Sequence, residues 1–156
     1  MSQTPLDAVR GVANACQVLP SIVTGGQPTA EQLTALAQAG GGIVLDIRDP
    51  MEPRPFDEPA HIRGLGMEYV NVPVSSGTAD DAALERILGV LRSAGSRQLF
   101  FHCGSGNRVG GAMIPYLMLD QGMNEEEAVE QAMRIGLRSP EYLQWGLDYA
   151  KRHTAS

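Results

Sequence analysis

The chain has 156 residues, 43% hydrophobic and 19% charged, enough apolar material for one packed domain and no basis for global disorder. Its formal charge of −6, with Lys151 the single lysine, argues against nucleic acid or an anionic membrane as partner. No apolar run approaches the ~18 residues of a membrane span and no basic-then-apolar leader is present, so a cytoplasmic protein is expected.

Residues 1–16 read as a weakly structured lead-in, and 17–153 as a single domain. Ile22-Val23-Thr24 is a short apolar piece closed by Gly25-Gly26. Thr29 then reads as an N-cap, with Gln32 completing a capping box, and Leu33, Leu36 and Ala37 line one helical face until Gly40 to Gly42 stop it. Ile43 to Ile47 is the continuous apolar run of a strand covered on both faces. Pro50, Pro53, Pro55 and Pro59 make 49–61 an irregular loop. Met67 to Val74 is a second strand, weakened by Pro73. Leu84, Ile87, Leu88 and Leu91 mark an amphipathic helix ended by Gly95. Gln98 to His102 is the next strand.

Beyond residue 108 the pattern is helical. Val109 to Leu119 is apolar nearly all round, a buried helix with a kink expected at Pro115. Gly110-Gly111 would let it approach the sheet closely. Asn124 caps the next helix, with Glu125, Glu126 and Glu127 in its positive first turn. Ser139-Pro140-Glu141 starts the last one, where Tyr142, Trp145 and Tyr149 form either a contact surface or ordinary core. Strands alternating with helices, then a helical C-terminal third, indicate an α/β domain with a mostly parallel central sheet of four or five strands flanked by helices.

The chemistry concentrates in HCGSGNRVGG, His102 to Gly111. Gly104 and Gly106 let the backbone curl so that successive N–H groups converge into an anion nest, and the following helix N-terminus adds positive potential. Arg108 offers a planar fork for two oxygens of a tetrahedral oxyanion. The same dipoles favour Cys103 as thiolate, a nucleophile beneath a bound oxyanion. His102 either tunes that thiolate or is a strand-end histidine bonded to backbone. Cys16 lacks such surroundings and reads as packing, and the two cysteines make no disulfide framework. His61, His102 and His153 have no metal-ligand spacing, so neither metal nor cofactor is expected.

At these residues the sequence resembles the cysteine-dependent protein tyrosine phosphatase superfamily, and the small bacterial beta-lactamase-hydrolase-like phosphatase group in particular. TGGQPTAEQLTALAQAG, IVLDIRD, YVNVPVSSG, FHCGSGNRVGG and EYLQWGLDYA carry the resemblance in that order. It implies a phosphatase-like three-layer fold and dual-specificity-like hydrolysis of phosphate monoesters through a phosphocysteine on Cys103. Arg108 and the backbone of Gly104, Ser105, Gly106 and Asn107 would hold the phosphoryl oxygens. The substrate would be a phosphorylated protein or a small phosphorylated metabolite.

Two features depart from the superfamily pattern. Only four residues separate Cys103 from Arg108, where five are usual, and Val109 stands where a hydroxyl is usual. The shorter spacing, with LDIRDPMEP and HIRG, is also similar to rhodanese sulfurtransferases, which would use a Cys103 persulfide. A non-catalytic phosphate-binding module is the third reading. For the leaving-group proton Asp81 is the candidate in the 73–81 loop beside Asp80, although Thr78 and Asp81 also form a capping box. Asp46 could buttress the loop or Arg108, and Asp49, Glu52, Asp57 and Glu58 are outside candidates.

Overall fold

The computed structural model describes residues 3–154. Within them five strands form one sheet: β1 (Cys16–Leu19), β2 (Ile22–Gly25), β3 (Gly41–Asp46), β4 (Glu68–Asn71) and β5 (Gln98–His102). The order across the sheet is β1-β2-β5-β3-β4, with β1 antiparallel to β2 and every other pair parallel. Seven helices cover it: α1 (Pro5–Ala8), α2 (Ala30–Gln38), α3 (Glu58–Gly64), α4 (Asp81–Ala94), α5 (Asn107–Pro115), α6 (Glu125–Ile135) and α7 (Pro140–His153).

Side-chain alternation along the strands makes this three layers. Val23, Val44 and Phe100 point to one face and pack with Val9 and Val12, Leu33 and Leu36 of α2, and Ile62 of α3. Ile22, Ile43, Leu45, Leu99 and Phe101 point to the other, against α4, α5, α6 and α7. Central β5 therefore buries Phe100 on one face and Phe101 on the other, and truncating either to alanine removes about 3–5 kcal/mol.

The α/β architecture is as expected, and three local expectations are corrected. The lead-in is structured: Thr4 and Asp7 form a capping box, and Ala8, Val9 and Val12 are buried. The 49–61 stretch is not loop throughout, because α3 begins there with Asp57 as N-cap and Pro59 in its first turn, where proline's missing N–H costs nothing. Gly110 and Gly111 face helices, not the sheet. A Cβ on Gly110 would lie 2.8 Å from Leu137 Cβ, and one on Gly111 would lie 2.5 Å from the Tyr142 carbonyl. Pro115 marks the end of α5, and a π-helical turn, Tyr116–Asp120, follows.

Trp145 and Tyr149 on α7 are core residues, and Trp145 Nε1 donates to the Asp80 carbonyl at 3.0 Å. No helix among the described residues is long and apolar enough to cross a membrane.

Candidate active site

The carboxyl ends of β2, β5 and β3 are in register, so that Gly25, His102 and Asp46 lie side by side. Ligands of open α/β sheets collect at such an edge. The chain leaving β5 there is the Cys103–Arg108 loop. Its base is tied to β2: Cys103 N–H donates to the Gly25 carbonyl and Gln27 N–H to the Gly104 carbonyl, at 3.3 and 3.1 Å. That approach requires glycine at Gly26, where a Cβ would lie 2.6 Å from the Gly104 oxygen.

Cys103 is fully buried at the bottom of the loop. The Gly106 N–H donates to its sulfur at 3.1 Å. Gly106 supports this with φ of +98°, a left-handed conformation in which it serves as N-cap of α5. A Cβ on Gly104 would lie 3.3 Å from Arg108 Nη2, a tight contact that the arginine would have to relieve. The side chain of Asn107 is turned away from the loop. Its Oδ1 accepts from the backbone of Arg138 and Ser139, and its Nδ2 donates to the Ser139 hydroxyl. What remains for an oxyanion at Asn107 is the main chain.

Arg108 is gripped from its far end. Nη1 and Nη2 donate to Glu52 Oε2 and Oε1 at 2.6 and 3.0 Å, and Nη1 also donates to the Val74 carbonyl at 2.9 Å. A guanidinium carries five N–H groups. Three are thus engaged, which leaves Nε–H and one Nη2–H, both on one edge of the plane and close to Gly104. That edge is the fork an oxyanion in the nest would meet. Glu52 is held in turn by the Asp49 N–H, 2.6 Å from Oε2. Burial works to raise the Glu52 carboxyl, but the Arg108 and Asp49 hydrogen bonds outweigh it and keep the group below its ordinary range. Burial likewise opposes charge on Arg108, and Glu52 and Cys103 more than offset it.

Beneath the loop lies a buried polar network. Arg48 donates to both oxygens of Asp46, at 3.0 and 2.8 Å, and to Glu58 at 3.1 Å. Tyr69 also donates to Asp46. Burial pushes the Asp46 carboxyl up, yet the Arg48 hydrogen bonds and nearby His102 bring it down to about 2. His102 has both ring nitrogens facing oxygens, with Nε2 2.6 Å from Glu58 and Nδ1 3.1 Å from the Cys103 carbonyl. Asp46, Glu58 and His102 approach one another as metal ligands could. Arg48 already donates to both carboxylates, however, so a cation there would have to displace its guanidinium.

The structure separates Asp81 from this machinery. Asp80, not Thr78, is the N-cap of α4, because its side chain accepts from the Ala83 N–H, while Thr78 closes a turn on Ser75. Asp81 pairs with Arg152 through two hydrogen bonds at 2.6 and 2.7 Å. Those bonds hold its carboxyl below the ordinary range, the opposite of what a proton donor needs. Carboxyls do border the loop, but from the proline-rich segment. A cavity of about 530 Å³ over Arg108 is lined by Asp49, Met51, Glu52, Pro53, Ser75, Ser76 and Tyr142.

Residues 14–144 match a family model described as DSP-PTPase phosphatase fused to NAD+ kinase. No curated protein matches the sequence significantly. Among solved structures, the chain is similar to a DUF442 phosphatase of Shewanella putrefaciens CN-32, with 19% identity, 95% and 98% of the two chains covered and a TM-score of 0.78. TpbA of P. aeruginosa is 19% identical over 92% of this chain and 86% of its own, with a TM-score of 0.70. The core catalytic domain of the PP-IP phosphatase SIW14 of S. cerevisiae is 16% identical over 92% of each chain, also with a TM-score of 0.70. At these identities the neighbours establish a shared fold.

Proposed function

Since the chain belongs to the family of DSP-PTPase phosphatases fused to NAD+ kinase, we propose that it hydrolyses phosphate monoesters with Cys103 as nucleophile and Arg108 as oxyanion clamp. The observation that carries this reading is the Cys103–Arg108 loop itself. A backbone N–H points at a buried sulfur, and an arginine is braced so that one donor edge stays available.

The Cys103 thiolate attacks phosphorus in line, and the ester oxygen leaves with a proton. Backbone N–H groups from Gly104 to Arg108, with the Arg108 fork, stabilise the equatorial oxygens. Water then attacks the phosphocysteine, releasing inorganic phosphate and restoring the thiolate. Of the carboxyls lining the cavity, Glu52 is committed to Arg108. Asp49 is therefore the group we assign to protonate the leaving oxygen.

The cavity has one arginine and two carboxylates, with Met51, Pro53 and Tyr142 as apolar wall. This balance supports a singly phosphorylated group, on a protein or a small metabolite, over a polyphosphate. Within the same fold, TpbA has been solved with phosphotyrosine bound. A dual-specificity-like role follows if phosphoserine also reaches the sulfur. The two free thiols suit a reducing, cytoplasmic setting.

The test is hydrolysis of an aryl phosphate by wild type and Cys103→Ser, alongside binding of inorganic phosphate. Turnover should vanish in the variant while phosphate binding persists. Retained turnover would overturn the assignment. So would a stable gain of about 32 Da on Cys103 after thiosulfate without phosphatase turnover, since that marks a persulfide.

A further inference from the structure

We propose that Asn14, on the connection between α1 and β1, is a positioning residue for the nest. It would hold the Ser105–Gly106 peptide in the orientation that aims its N–H at Cys103. Asn14 Nδ2 donates to the Ser105 carbonyl at 2.7 Å, across 91 residues of sequence. The Gly106 N–H belongs to the same peptide unit and donates to Cys103 Sγ at 3.1 Å. A peptide is planar and trans, so its C=O and N–H point in opposite directions. Fixing the carbonyl on the outside of the loop therefore fixes the N–H on the inside. If that peptide rotated, a carbonyl oxygen would face the sulfur in place of a donor.

The surroundings are built for an asparagine. Asn14 has φ of +56° and is the one non-glycine residue with positive φ among the described residues. Asparagine tolerates that conformation better than most side chains and also carries the needed donor. Its side chain sits between two glycines that also adopt positive φ. A Cβ on Gly136 would lie 3.2 Å from Asn14 Nδ2, and one on Gly106 would lie 3.4 Å from Asn14 Cβ. The neighbouring Ala13 carbonyl accepts from the Gly26 N–H at 2.9 Å, which anchors this connection to the segment packed beneath Gly104.

The proposal rests on Cys103 acting as a thiolate nucleophile, and its test is chosen to separate the two. Asn14→Gly keeps the backbone conformation and removes the amide. Asn14→Asp keeps the shape and sets an acceptor against an acceptor. Iodoacetamide alkylation of Cys103 is followed from about pH 5.5 to pH 9, because alkylation reports the thiolate. Arg108 and His102, the side chains flanking Cys103, are unchanged in both variants. The expectation is alkylation slower by about 5-fold near pH 6.5 in Asn14→Gly, the loss of one exposed hydrogen bond's net effect. Asn14→Asp should be slower still, with both profiles moved to higher pH and wild-type unfolding midpoints.

A folded variant with the wild-type alkylation profile would overturn the positioning role, whatever the phosphatase assay shows. Shifted profiles in a protein that hydrolyses no phosphate ester would support the positioning role and overturn the proposed activity. Should Asn14→Gly fail to fold, Asn14→Asp decides by the same reading.

Discussion

Replacing Glu52 with glutamine removes one negative charge and one acceptor from the far end of Arg108. The amide oxygen can still accept from one guanidinium nitrogen, but its NH₂ then faces the other, donor against donor. Hydrogen bonds to charged groups contribute about 1.5–3 kcal/mol each. The two side chains are 15% and 33% exposed, so solvent screens part of that and the lower end applies. A loss of roughly 1.5–2 kcal/mol in seating Arg108 lowers kcat/KM by about 10- to 30-fold. Aryl phosphate hydrolysis gives kcat/KM, and inhibition by inorganic phosphate reports the ground-state grip. If Glu52 seats the free edge of Arg108, both weaken together. Unchanged or faster turnover, with tighter phosphate inhibition, would refute the reasoning, because Glu52 would then be competing with the phosphate for Arg108.

Three further outcomes are expected. Asp81→Asn should leave aryl phosphate turnover within about a factor of 2, as its exposed pair with Arg152 is remote from the chemistry. A 10-fold loss would restore it as the acid. The Asp46 carboxyl, at about 2 when folded against about 3.8 unfolded, contributes stability that is fully present above about pH 4 and is lost as pH falls through 2. That is worth roughly 2 kcal/mol at neutral pH, so the gap in urea midpoint between wild type and Asp46→Asn should shrink on acidification. A pH-independent gap would contradict the depressed carboxyl. Gly146→Ala should destabilise by about 1–3 kcal/mol in thermal unfolding, because its Cβ would collide with the Gly111 carbonyl of α5 and a backbone atom cannot rotate away. A neutral effect would mean that α5 and α7 separate easily.

The Cys103–Arg108 loop was legible because its pattern is local. A strand, a cysteine, two glycines and an arginine at a helix start specify a nest whatever surrounds them. The N-caps Thr29 and Asn124 were legible for the same reason, and both are present in the structure. Glu52 was legible only as one acid among several on a proline-rich stretch. Its pairing with Arg108 spans 56 residues and has no periodic signature. Helix α3 was hidden because Pro59 reads as a breaker in a run of prolines and as a helix starter only once Asp57 is seen as its cap. The pairing of Asp81 with Arg152 was hidden for a related reason. An acidic pair at a helix start looks the same whether it serves as cap and surface ion pair or faces a substrate.

Both carboxylates that brace the Cys103–Arg108 loop come from one short run of chain, Asp49 to Glu58. Glu52 takes the arginine and Glu58 takes the histidine behind the cysteine. That run works as a strap fastened at two points, and it belongs to no strand. Cutting the Arg54–Pro55 peptide bond would therefore leave every strand whole while setting the two carboxylates free of each other. The bracing of the loop and the folding of the sheet are separable at a single peptide bond.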